Sequence, residues 1–339
     1  DLSVTIRDVA KKAQVGIATV SRVLNNNPSV SPTTKAKVEQ AIKELDYTPN
    51  PTAQSLSRGR AHAISVILPY LTFPSYVERL RGIQEVIEPS EYDLVLYSAN
   101  NPDRRDHLFK TLPKRSRTDG IIIVSILPDQ SQLDFFLSSN VPVVLVDAYH
   151  PEMISVFVNN VSGGRMATNH LIELGHRKIG FVSDYLVNDF RFSAMAERFA
   201  GYKDALELAG IPFNPDYHVE APHDRDAAKE AARKLLKLEK PPTAIFASSD
   251  TQGVGVLQAV REMGLSVPDD VSVIGFDGVR DSEYVNLTTV KQPLFESGVE
   301  GTSLLIDLLG QNADAVKSVE QSVELICRGT TSTLNQNGN

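Results

Sequence analysis

Apolar positions in the first 46 residues fall at helical spacing three times. Ile6, Val9, Ala10 and Ala13 share one face. Val20, Val23 and Leu24 share a second after the tight connection Gln14-Val15-Gly16. Val38, Ala41, Ile42 and Leu45 make a third, opened by Ser31-Pro32. Three such stripes can bury one another, so residues 1–48 predict a small helical domain. Tyr47-Thr48-Pro49-Asn50-Pro51 breaks the third helix. Residues 49–60 have weak helical character and too few apolar groups to fold alone, which reads as a hinge that orders in a complex.

From residue 61 the period changes. Continuous apolar runs at 64–68, 92–97, 120–124, 141–146, 178–182, 244–247 and 271–276 have the length of buried strands. Amphipathic stretches at 78–87, 132–137, 163–174, 195–209, 227–238 and 253–263 separate them. This alternation predicts parallel α/β sheets, and the strands are too many for one sheet. The expected fold is an all-α helix-turn-helix head followed by an α/β core of two doubly wound, parallel-sheet subdomains. A crossing near 159–161 and a return near 289–292 divide the core over 61–339. The N-subdomain takes 61–160 and 291–325, and the C-subdomain 161–290 and 326–339.

Charge changes the picture of the head. Residues 1–60 hold nine Lys and Arg against five acids, a net +4, while the whole chain carries −8. A basic head on an acidic body suits a polyanion as the partner of the head alone. Cys327 is the single cysteine, so no intramolecular disulfide and no cysteine-based metal site is expected. The N-terminus shows no apolar run of signal-peptide length, and no apolar run is long enough to span a bilayer. A cytoplasmic protein without a membrane partner is expected.

The second helix has the makings of a recognition helix. Ile17 and Ala18 are small or apolar at its start, where a backbone must approach base edges. Arg22, a turn further on, can donate two hydrogen bonds to a guanine, and Thr19 and Ser21 can reach phosphates. Periodicity alone leaves a generic surface hairpin equally open.

Longer motifs decide between them. Thr19-Val20-Ser21-Arg22-Val23-Leu24-Asn25, Val30-Ser31-Pro32-Thr33-Thr34 and Leu45-Asp46-Tyr47-Thr48-Pro49-Asn50 resemble the head of the lactose-repressor (LacI/GalR) family. Leu174-Gly175-His176-Arg177-Lys178-Ile179, Glu197-Arg198-Phe199-Ala200-Gly201-Tyr202, 268–277 and 287–293 resemble the family's core, which is periplasmic-binding-protein-like. The resemblance spans essentially the whole chain. It implies a homodimer on double-stranded, pseudo-palindromic operator DNA, a repressor's role, and a small-molecule effector, by default a carbohydrate. It assigns DNA contact to Thr5, Ile17, Ala18, Thr19, Ser21, Arg22, Asn25, Ser31 and Asn50. Leu56 matches a residue that wedges into the minor groove, with Ala53 beside it. Gln14, Gly16 and Gln54 depart from the family's usual residues at the turn, the recognition-helix cap and the hinge.

The same resemblance implies an effector site between the subdomains. Asp147, Arg198 and Asp277 carry its polar contacts, with Arg198 expected as the partner of Asp277 across the cleft. Ser249 falls where relatives often place a ligand-touching Asn. Tyr70, Phe73 and Tyr76 follow the first core strand and supply a wall, and Phe192, with Phe190, replaces an aromatic that relatives carry near His223-Asp224. The residues alone allow plainer roles: Asp147 as a turn or cap, and Asp250 as the cap of a helix starting near 251. Phe73 and Asn159-Asn160 depart from the family pattern, so a phosphorylated sugar, a nucleoside or a purine stays open beside a sugar.

Three rival functions fit parts of the chain. An enzyme is not expected: Gly-x-Gly-x-x-Gly, Gly-x-Ser-x-Gly and His-Glu-x-x-His do not occur, the seven histidines are scattered, and no cofactor or metal is implied. A periplasmic-type sugar-binding protein would lack the head. A DNA-binding repressor answering to a protein co-regulator or a phosphometabolite remains the alternative. Residues 332–339 are short and polar, so a dimer is expected rather than a tetramer. Effector binding should rotate the subdomains and part the hinges; whether it releases or recruits DNA stays open.

Overall fold

The computed structural model describes residues 4–25, 27–48, 61–310 and 317–334. The chain divides into two compact units, Asp1–Ala61 and His62–Asn339.

The first unit holds α1 (Ile6–Ala13), α2 (Ile17–Leu24) and α3 (Pro32–Glu44). Asp8 accepts from the Thr5 backbone N–H at 2.8 Å and from the Thr5 hydroxyl at 2.7 Å, which fixes the start of α1. Gln14, at φ 57°, adopts the left-handed conformation that ends it. Ser31 accepts from the Thr34 N–H at 3.3 Å, and Pro32 fills the first turn of α3. Val9, Ala10, Ala13, Val20, Val23, Val38 and Ala41 form the buried core, with Ile6, Leu24, Ile42, Leu45 and Tyr47 around it.

The second unit is built on two six-stranded sheets. Their strands are β1 (Ala63–Leu68), β2 (Asp93–Ser98), β3 (Gly120–Val124), β4 (Val143–Val146), β5 (Ile154–Val158), β6 (Ile179–Ser183), β7 (His218–Glu220), β8 (Ala244–Ala247), β9 (Ser272–Asp277), β10 (Thr288–Lys291), β11 (Val319–Gln321) and β12 (Glu324–Ile326). The first sheet runs β11-β5-β4-β3-β1-β2 and is parallel throughout. The second runs β12-β10-β9-β8-β6-β7, with β12 antiparallel to β10. Helices α4 (Pro74–Ile87), α5 (Pro102–Thr111), α6 (Gln130–Ser138) and α12 (Leu294–Leu309) belong to the first subdomain. Helices α7 (Asn160–Glu173), α8 (Ala194–Leu208), α9 (Arg225–Leu236), α10 (Asp250–Glu262) and α11 (Arg280–Tyr284) belong to the second. Every residue of β1, β3 and β8 is buried, as expected of strands covered on both faces.

The chain passes between the sheets three times: after β5, after β10 and after β11. Because β12 begins at Glu324 and lies in the second sheet, the third passage falls at 322–323 and not after 325. Helices α7 and α8 approach at two glycines. A Cβ on Gly164 would fall against the Arg198 carbonyl and 2.9 Å from the Arg198 Cα, and one on Gly201 would lie 2.7 Å from the Arg165 nitrogen.

Candidate effector site and DNA-contact surface

On the head, α2 presents Ile17, Ala18 and Arg22 to solvent, with Ile17 45% exposed although apolar. Thr19 and Ser21 are half-buried, and Asn25 stands at the helix end. An exposed isoleucine and alanine leading the helix, with a free-standing arginine one turn on, offer methyl contacts and one forked donor to a groove. Thr5 and Ser31, assigned above to DNA, are exposed, but their hydroxyls already serve the starts of α1 and α3. Asn50, Ala53, Gln54 and Leu56 lie outside the described residues.

In the core, the C-terminal ends of β3, β4 and β9 converge on a cavity of about 70 Å³. One water takes up roughly 10–15 Å³, so the cavity has room for several waters or a small polar solute. The residues ending these strands, Ser125, Asp147 and Asp277, have φ of 64°, 61° and 111°. Non-glycine residues held there are strained, and such strain gathers at binding sites.

A hydrogen-bonded relay crosses the cavity floor. Ser125 donates to Asp147 Oδ2 at 2.6 Å, and Arg79 Nη2 donates to Asp147 Oδ1 at 2.6 Å. Arg79 Nη2 also reaches Gln292 Oε1 at 3.3 Å, and Gln292 Nε2 donates to Asp277 Oδ1 at 2.7 Å. Asp277 Oδ1 lies 3.4 Å from Arg198 Nη1. Arg198 is held by Asn160 Oδ1 at 2.9 Å and the Ser248 carbonyl at 2.6 Å, with its guanidinium 3.7 Å from the centre of the Phe276 ring. Both arginines are only 3% exposed. Burial lowers the Arg198 pKa, and Asp277 and Asp147 offset part of that.

Aromatic rings close the site from both sides. Phe73 stacks on Tyr70 at 4.5 Å and on His223 at 4.9 Å, and Phe190 on Phe192 at 5.1 Å, with Tyr70 6.2 Å from Phe190. Burial pushes the Asp184 carboxyl up and the His223 imidazole down, so both move toward their neutral forms. The loop carrying Phe190 and Phe192, residues 184–193, is strapped to the first subdomain. Arg191 Nη1 donates to the Leu127 carbonyl at 3.3 Å and to Gln132 at 3.1 Å, its Nη2 lies 3.5 Å from Asp129, and Arg105 donates to the Asp189 carbonyl.

Comparison with known proteins completes this picture. Residues 5–50 match the bacterial regulatory proteins of the lacI family, and 168–331 match a periplasmic binding protein-like domain. Catabolite control protein A of Priestia megaterium is 36% identical over 309 residues, covering 90% of this chain and 92% of that protein. The chain belongs to the LacI family. The transcriptional repressor CytR of Escherichia coli (strain K12) is 32% identical over 341 residues, covering 98% of each. Among solved structures, the Lac repressor dimer bound to operator and anti-inducer aligns with a TM-score of 0.82 at 28% identity, covering 97% of this chain and 99% of that one. The CelR–cellobiose complex aligns at 0.70 with 29% identity, covering 96% and 99%. This LacI-family regulator therefore joins a DNA-binding head to an effector-binding core.

Its cavity brings together Asp147, Arg198, Asp277, Tyr70, Phe73, Tyr76 and Phe192. Ser249 stands apart from them: it is fully buried and caps α10 by accepting from the Gln252 N–H at 3.3 Å. Asp250 is not the cap. Its carboxylate accepts from the Gly278 N–H at 2.7 Å, the Val279 N–H at 2.9 Å and the Thr289 hydroxyl at 2.6 Å, tying α10 to the turn beyond Asp277. Burial, with Asp277 nearby, pushes its pKa up to about 8. Arg198 and Asp277 do not face each other across the cleft, because α8 and β9 belong to the same subdomain. The residues facing them from the other side are Arg79 and Asp147. Arg79, Ser125, Asp184, His223 and Gln292 also line the cavity. Of these, Gln292 carried a sequence signal, inside a family motif and at the return crossing, and His223 stood near the place where relatives carry an aromatic. Among the described residues, no helix is long and apolar enough to cross a membrane, and no cluster of His, Cys, Asp or Glu has metal-holding geometry.

Proposed function

We infer that this LacI-family repressor acts in the cytoplasm as a homodimer on a pseudo-palindromic operator, and that a sugar or sugar derivative bound in the core cleft sets its operator affinity. The observation that carries the reading is the Asp147–Arg79–Gln292–Asp277–Arg198 relay, which joins both subdomains at one cavity and runs through the crossing segment after β10. A polyhydroxylated ligand that engages both sides favours one angle between subdomains, and only differential binding of that kind shifts the equilibrium. Sugar ligands of related proteins, cellobiose for CelR and ribose for a regulator from Enterococcus faecium, support the class.

The test is a thermal-shift screen of the full chain against sugars, sugar phosphates and nucleosides. A saturating ligand that binds the folded state alone raises the melting temperature. Operator titration with and without the hit then gives the sign of coupling. No shift with any small molecule would transfer control to a protein co-regulator.

A further inference from the structure

We propose that Arg79 and Asp147 form a second diol clamp on the first subdomain, which with the Arg198–Asp277 clamp selects a neutral saccharide and rejects phosphorylated or acidic sugars. This rests on the carbohydrate reading above and narrows it. Arg79 belongs to none of the motifs that carry the family resemblance; helix α4 places it 2.6 Å from Asp147, with only 3% of its surface exposed. Asp147 is held from its other oxygen by Ser125, so carboxylate and guanidinium are fixed side by side. Among the described residues, Arg79 Nε, itself buried, has no hydrogen-bond partner, and Nη1 makes a long contact of 3.4 Å to the Ser75 carbonyl. The guanidinium therefore keeps donors in reserve.

A sugar hydroxyl both donates and accepts. Two adjacent hydroxyls are matched by a guanidinium N–H beside a carboxylate oxygen, and the cavity offers that pairing once from each subdomain. The Tyr70, Phe73 and His223 rings cover the space between with apolar faces suited to sugar C–H groups.

Charge supplies the discrimination. Two buried arginines are balanced by two aspartates. Asp184 and His223, also at the cavity, are both moved toward neutrality by burial, as is Asp250 behind Asp277, and burial keeps the Tyr70 and Tyr76 phenols neutral. A phosphate or carboxylate entering this charge-balanced, buried site would bring an uncompensated buried charge, which costs far more than a neutral hydroxyl.

The experiment is calorimetric titration and thermal shift of the full chain with matched pairs: D-glucose and glucose 6-phosphate, D-glucose and glucuronate, D-ribose and ribose 5-phosphate, and cellobiose. Neutral members should bind, and their anionic counterparts should bind at least tenfold more weakly. Arg79→Lys, which keeps the charge but not the fork, should weaken the neutral ligand by tenfold or more. Equal or tighter binding of an anionic member overturns the inference and leaves the carbohydrate reading standing. Unchanged binding by Arg79→Lys overturns the role of Arg79. Absence of binding by any carbohydrate, charged or neutral, overturns the carbohydrate reading and this inference with it. Should Arg79→Lys lower the melting temperature of the free protein, the wild-type comparison of charged and neutral pairs decides.

Discussion

Substituting Gly164 by alanine tests whether the packing of two helices sets the geometry of the effector site. The new Cβ would lie 2.9 Å from both the Cα and the carbonyl carbon of Arg198, and the obstacle is backbone, which cannot swing aside. Helices α7 and α8 must part by roughly 1 Å to recover ordinary contact. Overpacking of this kind costs about 1–3 kcal/mol. At about 2–4 °C per kcal/mol for a domain of this size, the melting temperature should fall by roughly 2–12 °C. The functional cost is separate. Arg198 is held at 2.9 Å by Asn160, on α7, and at 2.6 Å by the Ser248 carbonyl, so a shift of about 1 Å breaks the first and strains the second. Losing one charge-assisted hydrogen bond is worth about 1.5–3 kcal/mol, or roughly tenfold to hundredfold in affinity for the effector. Differential scanning calorimetry and sugar titration of the same preparation measure both. Gly16→Ala, where a Cβ meets nothing within 4 Å, is the control that should leave the core transition in place. A Gly164→Ala protein with wild-type melting and wild-type affinity would refute the argument.

The chain contains no tryptophan, so Phe190→Trp installs a single, selectively excitable indole in the strapping loop; adding Arg191→Ala should shift its emission to the red and raise acrylamide quenching, and an unmoved spectrum would show that Arg191 does not hold the loop. Asp250 has a folded pKa of about 8, raised from 3.8. Its contribution to stability is complete below the unfolded value and is lost as pH rises toward 8, at about 1.4 kcal/mol per pH unit. Melting temperature between pH 7 and 8 should therefore fall more steeply in the wild type than in Asp250→Asn, and parallel slopes would remove Asp250 as the cause. On the head, Arg22→Ala should weaken operator binding by about 1–3 kcal/mol and relax preference at one base pair per half-site; a uniform loss across all sequences, with a smaller salt slope, would make Arg22 a phosphate contact instead.

Much of this architecture was legible because buried parallel strands are written as unbroken apolar runs. The stretches 120–124 and 244–247 coincide with β3 and β8 to the residue. Strands β7, β11 and β12 were not legible, since three residues at a sheet edge, one of them an exposed glutamate, are too few to carry an apolar pattern. The site followed the same division. Asp147 and Asp277 sit at strand ends, where open α/β sheets place ligands, and family motifs marked them. Arg79 lies mid-helix among Glu78, Leu80 and Arg81, where an arginine ordinarily faces solvent. Only the fold reveals that it points inward to Asp147. Ser249 took the capping role expected of Asp250 because the helix begins one residue earlier than its apolar pattern suggests.

The backbone at Ser125, Asp147 and Asp277 also bears on how such a site can evolve. A left-handed conformation tolerates glycine, asparagine and aspartate far better than a branched or bulky side chain. Those three positions therefore draw on a small alphabet, and most replacements there lose the fold's local geometry before they gain a new ligand. New specificities are more accessible to mutation at Arg79, His223 and Phe192, which stand on helix and loop backbone of ordinary conformation. A library built to retarget this regulator should vary those positions and leave the strand ends fixed.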